Sequence, residues 1–373
     1  MARVSTTDPT VVAVTGEVPA ASLGAVLPHE HLLSDFAPPD DTPESWARAG
    51  LVRPAGASAL RLYRAPLTMD LLGEVALGAV NRDDRLLTDE ALAVSEAAAF
   101  RDAGGGTIVD LTPPAHGRNP AALRRLAEST GLTIVMGTVP HITSATGPGF
   151  SGPLPDAGMP GGSSGPVPDA GWLVEGLVRE LSVGVGGVRA GVIGALPALD
   201  PGVPGERNVL VAAARASAAT GAAISLGRSG DALAQQRVLD LLAEEGADLG
   251  RVAVGHCDPL APDPDALEPL LARGVFVQFD QLGRLPSAHS VADDQDVAAA
   301  VLELARRGHA TRVLLSQDVR AKSHLLAYGG GGYGFLLQQF VPYLRMLGAD
   351  DGLIETVTVD NPRRLLQTPK ADS

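Results

Sequence analysis

The sequence predicts an α/β protein folded as a TIM-type (β/α)8 barrel, in a single domain over residues 1–373. Three observations support this prediction: eight short apolar runs, helical periodicity between them, and a hydrophobic content of 45%. The length suits one such barrel, because this fold commonly fills about 200 to 400 residues. A doubly wound open sheet is the alternative, and the lack of a glycine-rich phosphate turn after the first strand argues against it.

The predicted strands are runs of β-branched and apolar residues separated by segments of helical character. They occupy residues 25–29, 107–111, 133–137, 190–195, 222–226, 251–255, 275–279 and 312–316. Residues 88–103 and 232–245 have the apolar spacing of amphipathic helices, with the first opening at Thr88. Continuous apolar strands that alternate with helices predict a parallel sheet covered by helices.

Composition and charge exclude several classes of function. The net charge is −14 and no block of like charge is present, so binding to nucleic acid or to an anionic membrane is not expected. The single cysteine, Cys257, excludes an intrachain disulfide. The N-terminus lacks a signal-peptide pattern, and no apolar stretch is long enough to cross a bilayer. We therefore expect a cytoplasmic protein that acts on a small molecule.

One segment interrupts the alternation of strands and helices. Residues 143–171 are rich in glycine and proline and contain a near repeat, GPLPDAG followed by GPVPDAG. Such a composition buries little apolar surface. The segment is predicted to be a mobile insertion after the third strand, or a lid over the mouth of the barrel.

Histidine and aspartate residues follow three of the predicted strands. The first strand ends in His29-Glu30-His31, and alternation directs both imidazoles into the barrel mouth with Glu30 turned outward. The sixth strand ends at His256 and the eighth at Asp318. An aspartate at the end of an apolar strand needs a cation or hydrogen-bond donors, which a metal site provides.

At these residues the chain resembles the phosphotriesterase-related branch of the amidohydrolase superfamily. The resemblance covers nearly the whole chain and rests on the following segments: LPHEHLLSDF (27–36), GGGTIVDLTPPAHGRNP (104–120), GVRAGVIG (187–194), VAVGHCDP (252–259), FVQFDQLGR (276–284), LLSQDVRAKSHLLAYGGGGYG (314–334) and VDNPRRLL (359–366). It implies a metal-dependent hydrolase, often a homodimer, with a binuclear centre that is usually zinc. In that centre, histidines and an aspartate bind the metals and a carboxylate on the fourth strand bridges them.

His29, His31, His256 and Asp318 match the family ligands, and two other ligand positions are missing. The fourth strand reads GVIGA over 191–195, with no carboxylate or lysine, and the fifth strand ends in Gly227. Two metal ions without an anion between them repel strongly. We therefore expect a single divalent ion, zinc by family analogy, held by the four matching residues, unless His116 or His141 replaces a lost ligand.

Several other residues are candidates for binding substrate. Arg228 follows the fifth strand, where its charge could take the place of the second metal and bind a carboxylate or an oxyanion. By resemblance, the loop and helix after the eighth strand line the substrate pocket, which makes Lys322, His324 and Tyr333 candidates. The remaining candidates are His141, as a loop contact, and Asp280, which either orients a ligand or caps a loop.

The sequence thus predicts a hydrolase of an ester, a lactone or a related bond, with Asp318 or His256 moving the proton. The loss of two ligand positions leaves a second interpretation open. In it, the same residues form an acid/base cluster that needs no metal and performs a lyase, cyclisation or dehydration step, or the protein binds a ligand without catalysis.

Overall fold

The computed structural model describes residues 9–37, 41–48, 52–140, 169–285 and 290–368. Most of the predicted glycine- and proline-rich insertion, 143–171, lies outside these ranges. Its last three residues begin a helix: the Asp169 side chain accepts a hydrogen bond from the backbone N–H of Trp172 and caps that helix.

The strands confirm all eight predicted runs and add two short antiparallel pairs. In chain order they are β1 (Thr10–Ala13), β2 (Gly16–Pro19), β3 (Ala25–Glu30), β4 (Ser34–Asp35), β5 (Leu86–Leu87), β6 (Gly105–Asp110), β7 (Thr133–Thr138), β8 (Val192–Leu196), β9 (Ala223–Gly227), β10 (Val252–Gly255), β11 (Phe276–Phe279) and β12 (Val313–Leu315). The hairpin β1–β2 and the pair β4–β5 flank an eight-stranded sheet in the order β12-β11-β10-β9-β8-β7-β6-β3. Its neighbouring strands are parallel, as in the predicted barrel.

Helices follow most of the barrel strands. The α-helices are α1 (Pro43–Arg48), α2 (Ala57–Arg64), α3 (Leu72–Ala76), α4 (Glu90–Asp102), α5 (Pro120–Thr130), α6 (Ala170–Ser182), α7 (Pro204–Thr220), α8 (Ala232–Glu244), α9 (Glu268–Leu271), α10 (Asp294–Arg306), α11 (Val341–Met346), α12 (Asp351–Glu355) and α13 (Asn361–Leu366), with π-helical turns at Leu336–Phe340 and Thr356–Asp360. The cap of α4 is Asp89 rather than the predicted Thr88, because the Asp89 carboxylate accepts the N–H groups of Ala91 and Leu92. No helix of the described ranges is long and apolar enough to span a membrane.

The apolar core has two layers. Side chains such as Val26, Val109, Val192 and Leu314 form the smaller cluster inside the barrel. The larger cluster joins the outer faces of the strands to the helices. Strands buried on both faces explain why the sequence shows continuous apolar runs in place of alternation.

The barrel closes between β3 and the end of β12. The backbone N–H of His29 donates to Ser316 Oγ (3.0 Å), and the N–H of Asp318 donates to the His29 carbonyl (3.1 Å). The N–H of His31 then donates to the Val319 carbonyl (3.1 Å). These contacts bring the histidine pair and Asp318 side by side, although they lie almost 290 residues apart in the chain.

Glu30 holds this seam together. Its carboxylate accepts hydrogen bonds from Ser316 Oγ (2.7 Å), the Gln317 N–H (2.8 Å) and the Val319 N–H (2.7 Å). Glu30 is fully buried, so the outward direction predicted from alternation leads into the seam and not into solvent. Between the two histidines, the chain therefore carries a structural residue.

Candidate active site

His29 and His31 lie together at the carboxyl end of β3, as alternation predicts. Both are buried, and their ring centroids are 5.6 Å apart. The His256 ring, at the end of β10, lies 5.3 Å from that of His29. The structure thus gathers three imidazoles that the sequence places after two different strands.

Asp280 fixes the orientation of two of these rings. Its Oδ2 accepts a hydrogen bond from His29 Nδ1 (2.8 Å) and its Oδ1 accepts one from His256 Nδ1 (2.8 Å). Burial opposes ionisation of Asp280, but the His256 and His29 imidazoles hold its pKa well below the usual range. With Nδ1 protonated, the Nε2 atom of His29 is left as a lone-pair donor, which is the arrangement that metal-binding histidines commonly have.

Asp318 completes the group. Its Oδ1 lies 3.2 Å from His31 Nε2 and 3.9 Å from His29 Nε2. This oxygen is buried and forms no hydrogen bond of acceptable geometry with any residue that the structure describes. His31 is held from its other side, where Nδ1 lies 3.1 Å from Thr112 Oγ1.

These ligand atoms fit a divalent ion. His29, His31 and Asp318 offer atoms that lie within 4.8 Å of one another, and His29, His256 and Asp280 form a second such group. Because Asp280 is engaged with two Nδ1 protons, the first group is the better ligand set, with His256 beside it. A buried carboxylate oxygen without a hydrogen bond, facing two imidazole nitrogens, is the donor set that zinc prefers.

The opposite side of the mouth lacks ligands and has little space for them. A Cβ atom at Gly227, the last residue of β9, would lie 3.1 Å from the backbone nitrogen of Ala198. A Cβ atom at Gly194 in β8 would lie 2.7 Å from the Cβ of Ser225, and Gly194 has a φ of +149°. Closely packed glycine backbone therefore lies in β8 and at the end of β9, the two strands on which the sequence analysis expects family ligands to be missing.

Two arginines bind the second oxygen of Asp318. Arg284 Nη2 lies 2.5 Å from Oδ2, and Arg320 Nε lies 3.4 Å from the same oxygen. Burial disfavours the carboxylate form, but the charges of Arg320 and Arg284 hold the pKa of Asp318 well below its usual range. Asp318 therefore stays ionised and is a weak base.

The surroundings of His256 and His31 shift the pKa values of these two residues in opposite directions. The charge of Asp280 raises the pKa of His256 to about 9. Burial lowers the pKa of His31 to about 4, so that this imidazole is neutral and available as a ligand. Cys257, next to His256, is buried, and burial raises the pKa of its thiol above the usual range, so that it is a poor nucleophile.

The predicted substrate-binding residues are placed unequally. Arg228 lies near the mouth, where its Nε donates to the carbonyl of His256 (3.2 Å) and its Nη1 to that of Ser229 (3.0 Å). The Nδ1 of His324 faces the backbone N–H of Arg320 at 3.5 Å, and burial lowers the pKa of His324 to about 3. His141 lies outside the described residues.

Lys322 and Tyr333 have partners within the protein. Lys322 Nζ forms an ion pair with Asp83 Oδ1 (2.7 Å). Tyr333 is buried, and its hydroxyl donates to the carbonyl of His31 (2.8 Å). Both contacts support the loops around the site, and a role of these residues in binding substrate stays a prediction.

Sequence reasoning missed Arg284 and Arg320 although both stand inside the segments quoted for the family resemblance. Each follows a strand end by a few residues, in FDQLGR and SQDVR. The signal available was their position at the mouth of the barrel, where loops after strands carry function. His116, the other suggested replacement ligand, points to the carbonyl of Asp35 (2.9 Å) and is not part of either ligand group.

A parallel eight-stranded barrel with imidazoles and a carboxylate at the carboxyl ends of its strands defines a class of barrel enzymes. Within that class, the model of the phosphotriesterase family matches residues 9–366. The chain belongs to the phosphotriesterase family, and it is a hydrolase by class, as the sequence predicts.

Individual relatives support this assignment. An N-acetyltaurine hydrolase from Xenopus tropicalis is 27% identical over 365 residues, covering 95% of this chain and 96% of that protein. The crystal structure of a resiniferatoxin-binding protein from Rhodobacter sphaeroides has a TM-score of 0.81 and 34% identity, covering 96% of this chain and 94% of that one. A mutant of a phosphotriesterase-like lactonase from Deinococcus radiodurans has a TM-score of 0.67 and 28% identity, covering 96% and 100%.

Proposed function

We propose that this protein is a mononuclear metallohydrolase that cleaves an ester, a lactone or a related acyl bond. The observation that carries the proposal is the convergence of His29 Nε2 and His31 Nε2 on Asp318 Oδ1, a buried oxygen without a hydrogen bond. We assign these three residues as ligands of one divalent ion, zinc by its preference for imidazole and carboxylate donors.

An ion held by these residues supplies Lewis acidity toward a carbonyl oxygen and lowers the pKa of a water molecule toward neutrality. The protein contributes orientation: Asp280 fixes His29 and His256, and Arg284 fixes Asp318 through Oδ2. We assign proton transfer to His256, because both oxygens of Asp318 already face other groups. Because the charge of Asp280 raises the pKa of His256 to about 9, its imidazolium is placed to donate a proton from Nε2 at the reacting atoms.

Relatives favour an acyl substrate over a phosphotriester. The Xenopus relative is named for hydrolysis of an N-acyl compound and the Deinococcus relative for a lactone. A phosphotriester suits a two-metal clamp on the phosphoryl oxygens, and the packing around Gly194 and Gly227 leaves little space for the ligands of a second ion. One ion is sufficient for a carboxylic acid derivative.

The metal content of the purified protein, measured by elemental mass spectrometry after dialysis without chelator, tests the proposal. We expect about one equivalent in the wild type and none in His31→Ala. About two equivalents would contradict a mononuclear site. Hydrolysis of a panel of lactones, esters and N-acyl compounds should depend on the same ion and return when zinc is added to chelator-treated protein.

A metal-independent acid/base site is the second candidate, and the Arg284–Asp318 ion pair is the observation that favours it. This pair neutralises Asp318 without any ion. A folded wild-type protein that contains no metal and binds no added zinc would support this candidate and overturn the metallohydrolase.

A further inference from the structure

Arg320 lies at the mouth of the barrel, two residues after Asp318. Its side chain is 46% exposed, and its Nε lies 3.4 Å from Asp318 Oδ2. The segment that follows Arg320 contacts the segment that carries Arg85: Lys322 Nζ pairs with Asp83 Oδ1 (2.7 Å), and the N–H of Ser323 donates to Asp84 Oδ1 (2.8 Å). Arg85 and Arg320 therefore lie on neighbouring segments, and the charge of Arg320 contributes to the lowered pKa of Arg85 after burial.

Arg85 belongs to the wall of this mouth. It precedes β5, and its carbonyl accepts a hydrogen bond from the N–H of Phe36 (3.1 Å). The Phe36 ring packs 5.0 Å from the ring of His31 and 4.5 Å from that of His116. The backbone of Arg85 is thereby held next to Phe36, whose ring packs against the candidate metal ligand His31.

The guanidinium of Arg85 is half-buried and forms no hydrogen bond or ion pair with any residue that the structure describes. Its neighbour Asp84 directs Oδ1 to the backbone N–H of Ser323 (2.8 Å). Burial and the charge of Arg320 lower the pKa of Arg85, and the charge of Asp84 offsets part of this effect. Partial burial of a cation beside a like charge is unfavourable unless an anion joins them.

Arg284 adds a third positive group. Its Nη2 is engaged with Asp318, and its Nε is buried without a hydrogen-bond partner among the described residues. The chain as a whole has 43 acidic against 29 basic residues, so an excess of guanidinium groups in one place is unusual for it. Of the three, Arg284 neutralises Asp318, Arg320 is only loosely paired, and Arg85 has no ion pair within the part of the chain that the structure describes.

We propose that Arg85 and Arg320 form an anion subsite that binds a carboxylate or sulfonate group of the substrate at the mouth of the barrel. Guanidinium groups suit such oxyanions because they donate two parallel hydrogen bonds. The assignment of this anion to a substrate rests on the proposed hydrolase function, whereas anion binding itself does not. The substrate is then an acyl compound whose acidic group lies on the part of the molecule farther from His29, His31 and Asp318.

Binding of small probes to chelator-treated protein tests the subsite apart from the metal. The probes are sodium propionate and sodium ethanesulfonate, with propionamide as the neutral control, followed by calorimetric titration and by thermal unfolding at constant ionic strength. We expect both anions, and not propionamide, to bind wild-type protein. The anion bound more tightly identifies the preferred acidic group.

The variants Arg85→Gln and Arg320→Gln should each weaken anion binding by at least about tenfold, because each removes a charged hydrogen-bond donor. Arg85→Lys should retain part of the affinity, and Arg306→Gln on the exposed face of α10 should bind like the wild type. Circular dichroism of each variant without probe establishes that it is folded, and Arg85→Lys serves as the test if Arg85→Gln is not.

Equal anion affinity in wild type and Arg85→Gln, or equal binding of propionamide, would overturn the subsite. The metal content of Arg85→Gln should equal that of the wild type, so failure of the subsite is distinguishable from failure of the metal site. Protein that binds anions but no zinc would keep the subsite and remove the hydrolase.

Discussion

The two sides of the barrel mouth differ in the functional groups that they carry. The side formed by β3 and the end of β12 holds His29, His31 and Asp318, joined through Glu30. The side formed by β8 and β9 presents glycines packed against neighbouring backbone. The difference teaches that one side of the mouth can carry a complete group of polar side chains while the other side is packed backbone, because the two sides depend on different strands.

The largest expected effect concerns Asp318, on the side of the mouth formed by β3 and the end of β12. Asp318→Asn should lower metal affinity and hydrolytic turnover by about two orders of magnitude or more, because even residues that only orient ligands are worth about 10 to 100-fold. Metal titration and initial rates measure this. Asp350→Asn, which keeps a good helix cap on α12, is the matched control. Unchanged metal binding in Asp318→Asn would remove Asp318 from the ligand set.

Glu30→Ala tests whether the seam depends on one side chain. The change leaves the buried N–H groups of Gln317 and Val319 without their acceptor, whereas the Ser316 hydroxyl keeps the His29 carbonyl (3.0 Å) as an acceptor. We expect a loss of about 3 kcal/mol in the free energy of unfolding. Urea denaturation measures it, with Glu303→Ala on the surface expected below about 1 kcal/mol. A loss as small as that of the control would show that the seam is held by the backbone alone.

Gly227→His tests the side of the mouth formed by β8 and β9. A Cβ atom there meets the backbone of Ala198, so we expect a loss of about 1 to 3 kcal/mol in stability and no gain of a second metal equivalent. Gly73→His in α3, where a Cβ meets no neighbour within 4 Å, is the control. Two equivalents of zinc in Gly227→His would show that a single substitution is enough to create a second metal site.

The smallest expected effect concerns Arg85. Arg85→Gln removes a half-buried cation that repels Arg320, so the free energy of unfolding without ligand should rise, by up to about 1 kcal/mol. Arg306→Gln gives the baseline in the same denaturation experiment. A clear loss of stability would mean that the Arg85 guanidinium supports the fold.

Much of this arrangement could be predicted from the sequence. The apolar runs gave all eight strands, and the alternation within β3 gave the common direction of His29 and His31. Such predictions succeed because a residue at the end of a barrel strand has few directions open to it.

Other features depended on contacts between distant parts of the chain. Glu30 was expected to turn outward, and only the approach of β12 shows that this direction is buried. The Arg284–Asp318 pair joins two loops, and loop conformation has no periodicity from which to predict it. The two bonds of Asp280 likewise require the relative positions of three strands.

Two residues of the site, His256 and Asp318, have left-handed backbone conformations, with φ of +56° and +46°. Residues other than glycine adopt this region at some cost, although aspartate, asparagine and histidine tolerate it better than most side chains. Selection for heat resistance alone would therefore favour glycine at both positions and remove the reactive groups. In directed evolution of this barrel, thermal stability would have to be screened together with turnover, because stability and activity favour different residues at these two positions.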